Sequence, residues 1–286
     1  MRHFDFLSDA DRQRLFFRAP QPFSANDDLN VLGMALGATL YSPATRPSLV
    51  ADLAKRVSHG VLSTVICLED SIPDQAVAAA EQNVITQLRA YAESGAQRPL
   101  VFIRVRSARQ IPMIVAGLGE QASILTGFVL PKFTDENGSP FLDAIREASV
   151  TVGRRLLAMP VLEAPEVIFA ESRIEVLLQI RQLLNKYREH VVAVRIGATD
   201  LSSSFGLRRS RDLTIYDVRV VADVIADVVN VFARADETGF AVTGAVWEYF
   251  SGTERMFKPQ LREAPFIEHS ERALRAELIA RDLDGL

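Results

Sequence analysis

The sequence has a single cysteine, Cys67, set within the apolar run STVICLED. One cysteine excludes an internal disulfide and fits a reducing compartment. Its apolar neighbours make it a small packing residue rather than a nucleophile. No window of about 18 uninterrupted apolar residues occurs, so no membrane-spanning helix is expected. The N-terminal stretch MRHFDFLSDADRQRLFF carries early acids and no long apolar core, unlike a signal peptide. A cytoplasmic location is therefore expected. Lys and Arg number 32 against 36 Asp and Glu, for a net charge of -4. No segment is basic enough to suggest a nucleic-acid surface. Phosphate cradles are missing too: no GxGxxG follows the first strand-like run, and GxxxxGK followed by Ser or Thr occurs nowhere.

The 286 residues are 48% hydrophobic and 24% charged, which suits a globular chain with a sizeable core. Apolar runs alternate with helix-like segments. The runs are MALGATLYSP, VLSTVICLED, PLVFIRVRS, TGFVLPK, RLLAMPVLEAP, VVAVRIGATDLSSSFG and FAVTGAVWEYF, with a weaker eighth in ERMFKPQL. Strands separated by helices argue for parallel βαβ units, and runs apolar on both faces are those of strands covered by helices. The expected fold is α/β: a (β/α)8 barrel, with an open doubly wound sheet as the alternative. Residues 1–30 read as an irregular, Phe-rich extension and 31–286 as one barrel domain. Ser139 is a candidate N-cap for the helix after the fourth run.

In a barrel the functional side chains stand at the C-terminal strand ends. The tips present Arg46 after the first strand, Glu69 and Asp70 after the second, and Arg104 and Arg106 from the third. Lys132 follows the fourth, Glu163 the fifth, Asp200 the sixth and Glu248 the seventh. Each acid alone is equally a turn former or helix cap, and Asp70 could cap the helix beginning near Pro73. Taken together, carboxylates without His or Cys beside them suit a hard cation such as Mg2+, with Mn2+ as the alternative. Arginines among them suit an anionic substrate, because guanidinium grips a carboxylate in a bidentate way. Glu163 and Asp200 stand out, each ending a long buried run framed by small residues or proline. Arg195, inside the sixth strand, reads as structural.

These motifs resemble the citrate lyase beta subunit-like branch of the HpcH/HpaI aldolase/citrate lyase family, in the phosphoenolpyruvate/pyruvate TIM-barrel superfamily. LYSPATRPSLVADLAKR is similar to that group's LFVPGxRP segment, TVICLEDSI to its DLEDAV and FIRVRS to its VRVN. FVLPKF matches its LPK, VLEAP stands in place of IET, and IGATDLSSSFG is close to GxxDLxxxLG. The likeness spans roughly residues 36–260, one motif per strand and in order. It implies a TIM barrel with Mg2+ on Glu163 and Asp200, both also touching substrate. It implies Arg104 on a substrate carboxylate or enolate oxygen, Glu69 and Asp70 orienting Arg104, and Lys132 shaping the floor of the site. Arg46 and Arg106 are added as substrate contacts, Arg106 standing where the family has an amide.

The implied reaction makes or breaks a carbon–carbon bond between an acyl-CoA or related thioester enolate and a 2-keto acid, in a homo-oligomer (trimer or hexamer). The alternatives are a class II pyruvate aldolase acting on a 4-hydroxy-2-oxo acid and a non-catalytic metabolite-binding barrel. The aldolase commonly uses a histidine base, and none of His3, His59, His190 and His269 falls at a strand tip.

Overall fold

The computed structural model describes residues 1–70, 72–207, 213–244, 249–253 and 256–259, the last two segments as backbone. The chain divides into two compact units. The first comprises Met1–Pro131, Asp135–Pro160 and Leu183–Ala193; the second comprises Lys132–Thr134, Val161–Gln182 and Val194–Leu286.

The first unit opens with a short helix, α1 (Asp9–Leu15), so the N-terminal extension is less irregular than its sequence suggests. Buried Arg12 binds the Leu7 carbonyl and the Asp9 carboxylate and ties this segment together. Helix α2 (Leu29–Ala35) follows, with the Asp28 carboxylate accepting the Asn30 N–H at 2.8 Å. The expected first strand therefore begins in a helix. Met34 and Ala35 belong to α2, Gly37 takes the left-handed conformation (φ +55°) that ends it, and β1 covers only Leu40–Pro43.

Then come α3 (Leu49–Ser58), β2 (Ser63–Cys67), α4 (Val77–Glu93), β3 (Leu100–Arg104), α5 (Gln110–Leu118), β4 (Gly127–Leu130) and α6 (Asp135–Val152), followed by β5 (Leu157–Leu162). Strands β1 to β5 pair in that order, all parallel. Every residue of β2, β4 and β5 is buried, as a parallel sheet covered on both faces requires. The buried hydroxyls are satisfied: Ser63 Oγ donates to Leu36 O at 2.6 Å and Thr64 Oγ1 to Leu40 O at 2.9 Å. Helix α6 starts at Asp135 and carries Pro140 inside it, so Ser139 is a helical residue and not its cap.

The second unit takes the last two residues of β5, then α7 (Pro165–Ile168) and α8 (Arg173–Lys186) as far as Gln182. Next come β6 (Val194–Ile196), α9 (Ala198–Ser203), α10 (Arg219–Phe232), β7 (Val242–Thr243), β8 (Tyr249–Thr253) and β9 (Met256–Pro259). Strand β6 pairs in parallel with β5 and with β7. Helix α10 is valine-rich, yet Val221, Val224, Val228 and Val231 line one buried face, so the 3.6-residue period overrides the β preference of the residue type.

Strands β8 and β9 form an antiparallel hairpin. The expected eighth parallel strand in ERMFKPQL is thus a hairpin arm, and the seventh run divides between β7 and β8. A Ser-Gly-Thr-Glu segment between two short apolar runs is a hairpin signal that the βα alternation obscured. Glu248 lies outside the described residues.

Candidate active site

In the first unit, register sets the local chemistry. Cys67 and Arg104 are partners across β2 and β3, so the residues just past β2 stand beside the last residue of β3. Arg104 Nη2 donates to Glu69 Oε2 at 2.8 Å and lies 3.2 Å from Asp70 Oδ2. The Asp70 N–H donates to the same Glu69 oxygen at 3.0 Å. The side chains of Arg104 and Glu69 are only 12% and 11% exposed, whereas that of Asp70 is 51% exposed. A buried carboxylate is tolerated when paired and hydrogen-bonded, and Glu69 is both. One guanidinium faces two carboxylates, of which Asp70 is the more exposed. The three residues expected to act together from the second and third strands do come together.

The other two arginines expected to face substrate have different partners. Arg46 Nε donates to Asp52 Oδ2 at 2.6 Å across the start of α3, with its own side chain half exposed. That hydrogen bond, with the attraction of the two charges, holds the Asp52 carboxyl below and the Arg46 guanidinium above their usual ranges. Arg106 turns back onto the loop after β2. Its Nε donates to Leu68 O at 2.7 Å, and its Nη2 to Glu69 O at 3.1 Å and to Ile72 O. Its Nη1 pairs with Asp74. The extra positive charge that the sequence suggested for a second anionic group is engaged by main-chain carbonyls and one exposed acid.

In the second unit, Glu163 follows β5 and is 5% exposed. The Lys132 N–H donates to Glu163 Oε1 at 3.1 Å. Lys132 holds the left-handed conformation (φ +48°), uncommon for a residue with a side chain, while its side chain is exposed. Gly197, immediately after β6, packs on the other side of the carboxylate: a Cβ there would stand 2.2 Å from Glu163 Oε2.

Asp200 is not in a loop but in the first turn of α9, half buried, where the helix dipole favours a carboxylate. The serines around it close the helix. Ser202 Oγ bonds Ala198 O, and Ser203 Oγ and Ser204 Oγ both bond Asp200 O. Gly197 is the site residue whose role sequence reasoning missed, since no local signal in the run marks the glutamate packed against it. Arg195 is half buried within β6, in register with Val161 and Thr243.

Among the described residues no group of three or more His, Cys, Asp or Glu side chains is placed to hold a metal. Glu163 and Asp200 offer carboxylate oxygens alone. That donor set fits Mg2+, which is commonly held by one or two carboxylates and keeps several waters. The histidines are accounted for otherwise. His3 Nε2 meets Ala35 O, buried His190 Nδ1 meets Leu156 O, and His59 ends α3; His269 lies outside the described residues.

Residues 30–286 match the C-C bond lyase family of the TIM-barrel fold. The chain belongs to that family. The fold class read from the strand pattern, and the resemblance carried by the strand-tip motifs, agree with it. No curated protein matches the chain in sequence. Among solved structures, a malate synthase from Haloferax volcanii is similar at 11% identity and a TM-score of 0.57, over 73% of this chain and 62% of that one. Its magnesium/glyoxylate complex gives 10% and 0.53, over 73% and 63%. A citrate lyase from Burkholderia xenovorans LB400 gives 14% and 0.54, over 72% and 62%. The chain thus matches less than two thirds of each of these proteins, and identities this low speak to fold alone. Among the described residues no helix is long and apolar enough to cross a membrane.

Proposed function

We propose that this C-C bond lyase family member is Mg2+-dependent and joins or separates a thioester enolate, on CoA or a related carrier, and a 2-keto acid. The observation that carries the reading is Glu163: a buried carboxylate braced by the Lys132 N–H and by Gly197, in the same unit as Asp200 at the start of α9. Glu163 and Asp200 would hold the cation, which when bound supplies Lewis-acid polarisation of the keto oxygen. Arg104, held by Glu69 and Asp70, would neutralise the substrate carboxylate or the charge on the enolate oxygen. Asp70, as the exposed acid of that trio, is the candidate for holding or moving a proton. Lys132 shapes the floor, and Arg46 would reach substrate only by leaving Asp52.

The solved relatives lend the substrate class: the Haloferax volcanii enzyme has been captured with magnesium and glyoxylate and with pyruvate and acetyl-CoA. The aldolase alternative lacks its usual base, because the described histidines are bound to main-chain carbonyls or end a helix. A homo-oligomer, trimer or hexamer, completes the proposal. It is supported by exposed Phe6, Phe17 and Met34 near the N-terminus and is checked by light scattering.

The deciding experiment is Mg2+ calorimetry on wild type and Asp200→Asn, with and without oxaloacetate, pyruvate or glyoxylate. Binding that is lost in the variant and tightened by one keto acid supports the metal site and names the electrophile. Absence of Mg2+ binding in the wild type overturns the metal-dependent lyase in favour of a non-catalytic barrel.

A further inference from the structure

Arg106 lies two residues past the end of β3, where the chain leaves the sheet. The β2–β3 ladder continues to the Leu68 N–H, which bonds Arg104 O at 2.9 Å. In a regular parallel ladder the next bond would run from the Arg106 N–H to Leu68 O. Here the side chain of Arg106 takes that place: its Nε, not its main-chain N–H, donates to Leu68 O. The displaced N–H is received by Gln110 Oε1 at 2.5 Å. Gln110 is buried and donates in turn to Glu81 Oε1 on α4 at 2.6 Å. The remaining guanidinium donors fasten Glu69 O, Ile72 O and the Asp74 carboxylate. One side chain therefore ties down both ends of the loop that carries Glu69 and Asp70.

We infer that Arg106 is a positioning residue, which locks the Glu69–Asp70 loop in register with Arg104 and binds no substrate itself. Four acceptors from Leu68 to Asp74 converge on one planar fork, an arrangement that a lysine's single point charge cannot reproduce. The carboxylates of Glu69 and Asp70 meet Arg104 only while that loop keeps its place, so Arg106 acts on Arg104 through its partners. The inference rests on the proposed role of Arg104 for its functional half; the loop-locking half stands on geometry alone.

The test compares wild type with Arg106→Lys and Arg106→Gln on the full chain. Amide hydrogen exchange reads the segment 68–76, thermal unfolding reads global stability, and calorimetry with Mg2+ plus oxaloacetate or glyoxylate reads the site. The inference expects exchange in 68–76 to quicken about tenfold in both variants, with core strands β4 and β5 unchanged. Keto-acid affinity should fall about tenfold in the wild-type background and not fall further when Arg106→Lys is added to Arg104→Gln, because residues acting through one contact are non-additive. Unchanged exchange in 68–76 overturns the lock. Quickened exchange with additive losses overturns the route through Arg104 and returns Arg106 to direct substrate contact. A wild type that binds no keto acid sinks the proposed lyase reading, while the exchange result still decides the lock.

Discussion

Replacing Gly197 with alanine tests the geometry of Glu163, the carboxylate proposed to hold the metal, with the smallest possible perturbation. The added Cβ would stand 2.2 Å from Glu163 Oε2, 2.4 Å from Glu163 Cβ and 3.0 Å from its Cδ. Rotating the carboxylate could relieve the first contact. It cannot relieve the second, because Glu163 Cβ is fixed to the backbone at the end of β5. Carbon atoms rest at about 3.5–4.0 Å, so the backbone must yield by roughly 1 Å. Gly197 itself has φ -92° and ψ 70°, so the requirement for glycine is one of space and not of a left-handed backbone. Overpacking of this kind costs about 1–3 kcal/mol. If Glu163 moves away from the Lys132 N–H, loss of a hydrogen bond to a charged group adds about 1.5–3 kcal/mol. The stiffer unfolded chain returns only about 0.4–1 kcal/mol, so destabilisation wins. Gly197→Ala should therefore lower unfolding free energy by about 3 kcal/mol in denaturant titration with an unchanged slope. It should also weaken Mg2+ binding about tenfold by calorimetry, since a site displaced by a fraction of an ångström no longer presents its oxygen. A variant within about 0.5 kcal/mol of wild type and with unaltered Mg2+ affinity would refute the reasoning, since that is the range of an ordinary surface change.

Other substitutions separate roles that the sequence alone leaves merged. Arg104→Gln leaves Glu69 buried without its cation and should cost about 3 kcal/mol of stability in denaturant titration, in the range for breaking a buried pair from one side. Arg46→Gln should leave neutral-pH stability little changed, because its pair with Asp52 is half exposed. The Asp52 carboxyl is lowered chiefly by the Arg46 hydrogen bond, so the pair's contribution is present above the ordinary carboxylate value and is lost as pH falls through the lowered one. Melting curves of wild type and Arg46→Gln should accordingly differ only slightly near neutrality, and that small difference should close as pH falls. Lys132→Gly relieves a left-handed backbone while keeping the N–H that binds Glu163, so stability should be kept or raised. A fall in keto-acid affinity in that same variant would show that the lysine side chain, and not only its main chain, serves the site.

Much of the architecture was legible because periodicity reports burial. The runs that became β2, β3, β4 and β5 were apolar on both faces and lie within a residue or two of their expected places. What failed did so for local reasons. Met34 and Ala35 sit in an apolar run that a cap at Asp28 and a left-handed Gly37 turn into a helix, and those signals are single residues set against a longer pattern. The serines after Asp200 carry no helix signal in the sequence, because serine is a poor helix former. In the fold their hydroxyls bond the carbonyls of their own short helix. The tip acids Glu69 and Asp70 were legible as partners of Arg104 through the family resemblance, and the parallel register of β2 and β3 is the physical reason that their ends meet. Gly197 was not, because nothing in a sequence reveals that a neighbouring strand's glutamate occupies the space of its missing side chain.

The arginines show why counting charge at strand ends overstates the capacity to bind anions. A guanidinium has five donors and no acceptor, so a carbonyl-rich loop holds it as firmly as a carboxylate does. Arg12 is bound to carbonyls of the N-terminal segment, Arg106 to those of the loop after β2, and Arg173 to Ile168 O together with Asp227. Arg46 is matched by Asp52. Of the arginines expected at the site, Arg104 is the one whose described contacts run to Glu69 and Asp70. A 2-keto acid that ligates the cation proposed for Glu163 and Asp200 is held through that cation. The affinity of the chain for oxaloacetate or glyoxylate should therefore depend steeply on Mg2+. Calorimetric titration of the keto acid in the presence of a chelator should show little heat, and restoring Mg2+ should restore it. Equal affinity with and without the cation would mean that keto-acid binding does not run through the metal proposed for Glu163 and Asp200.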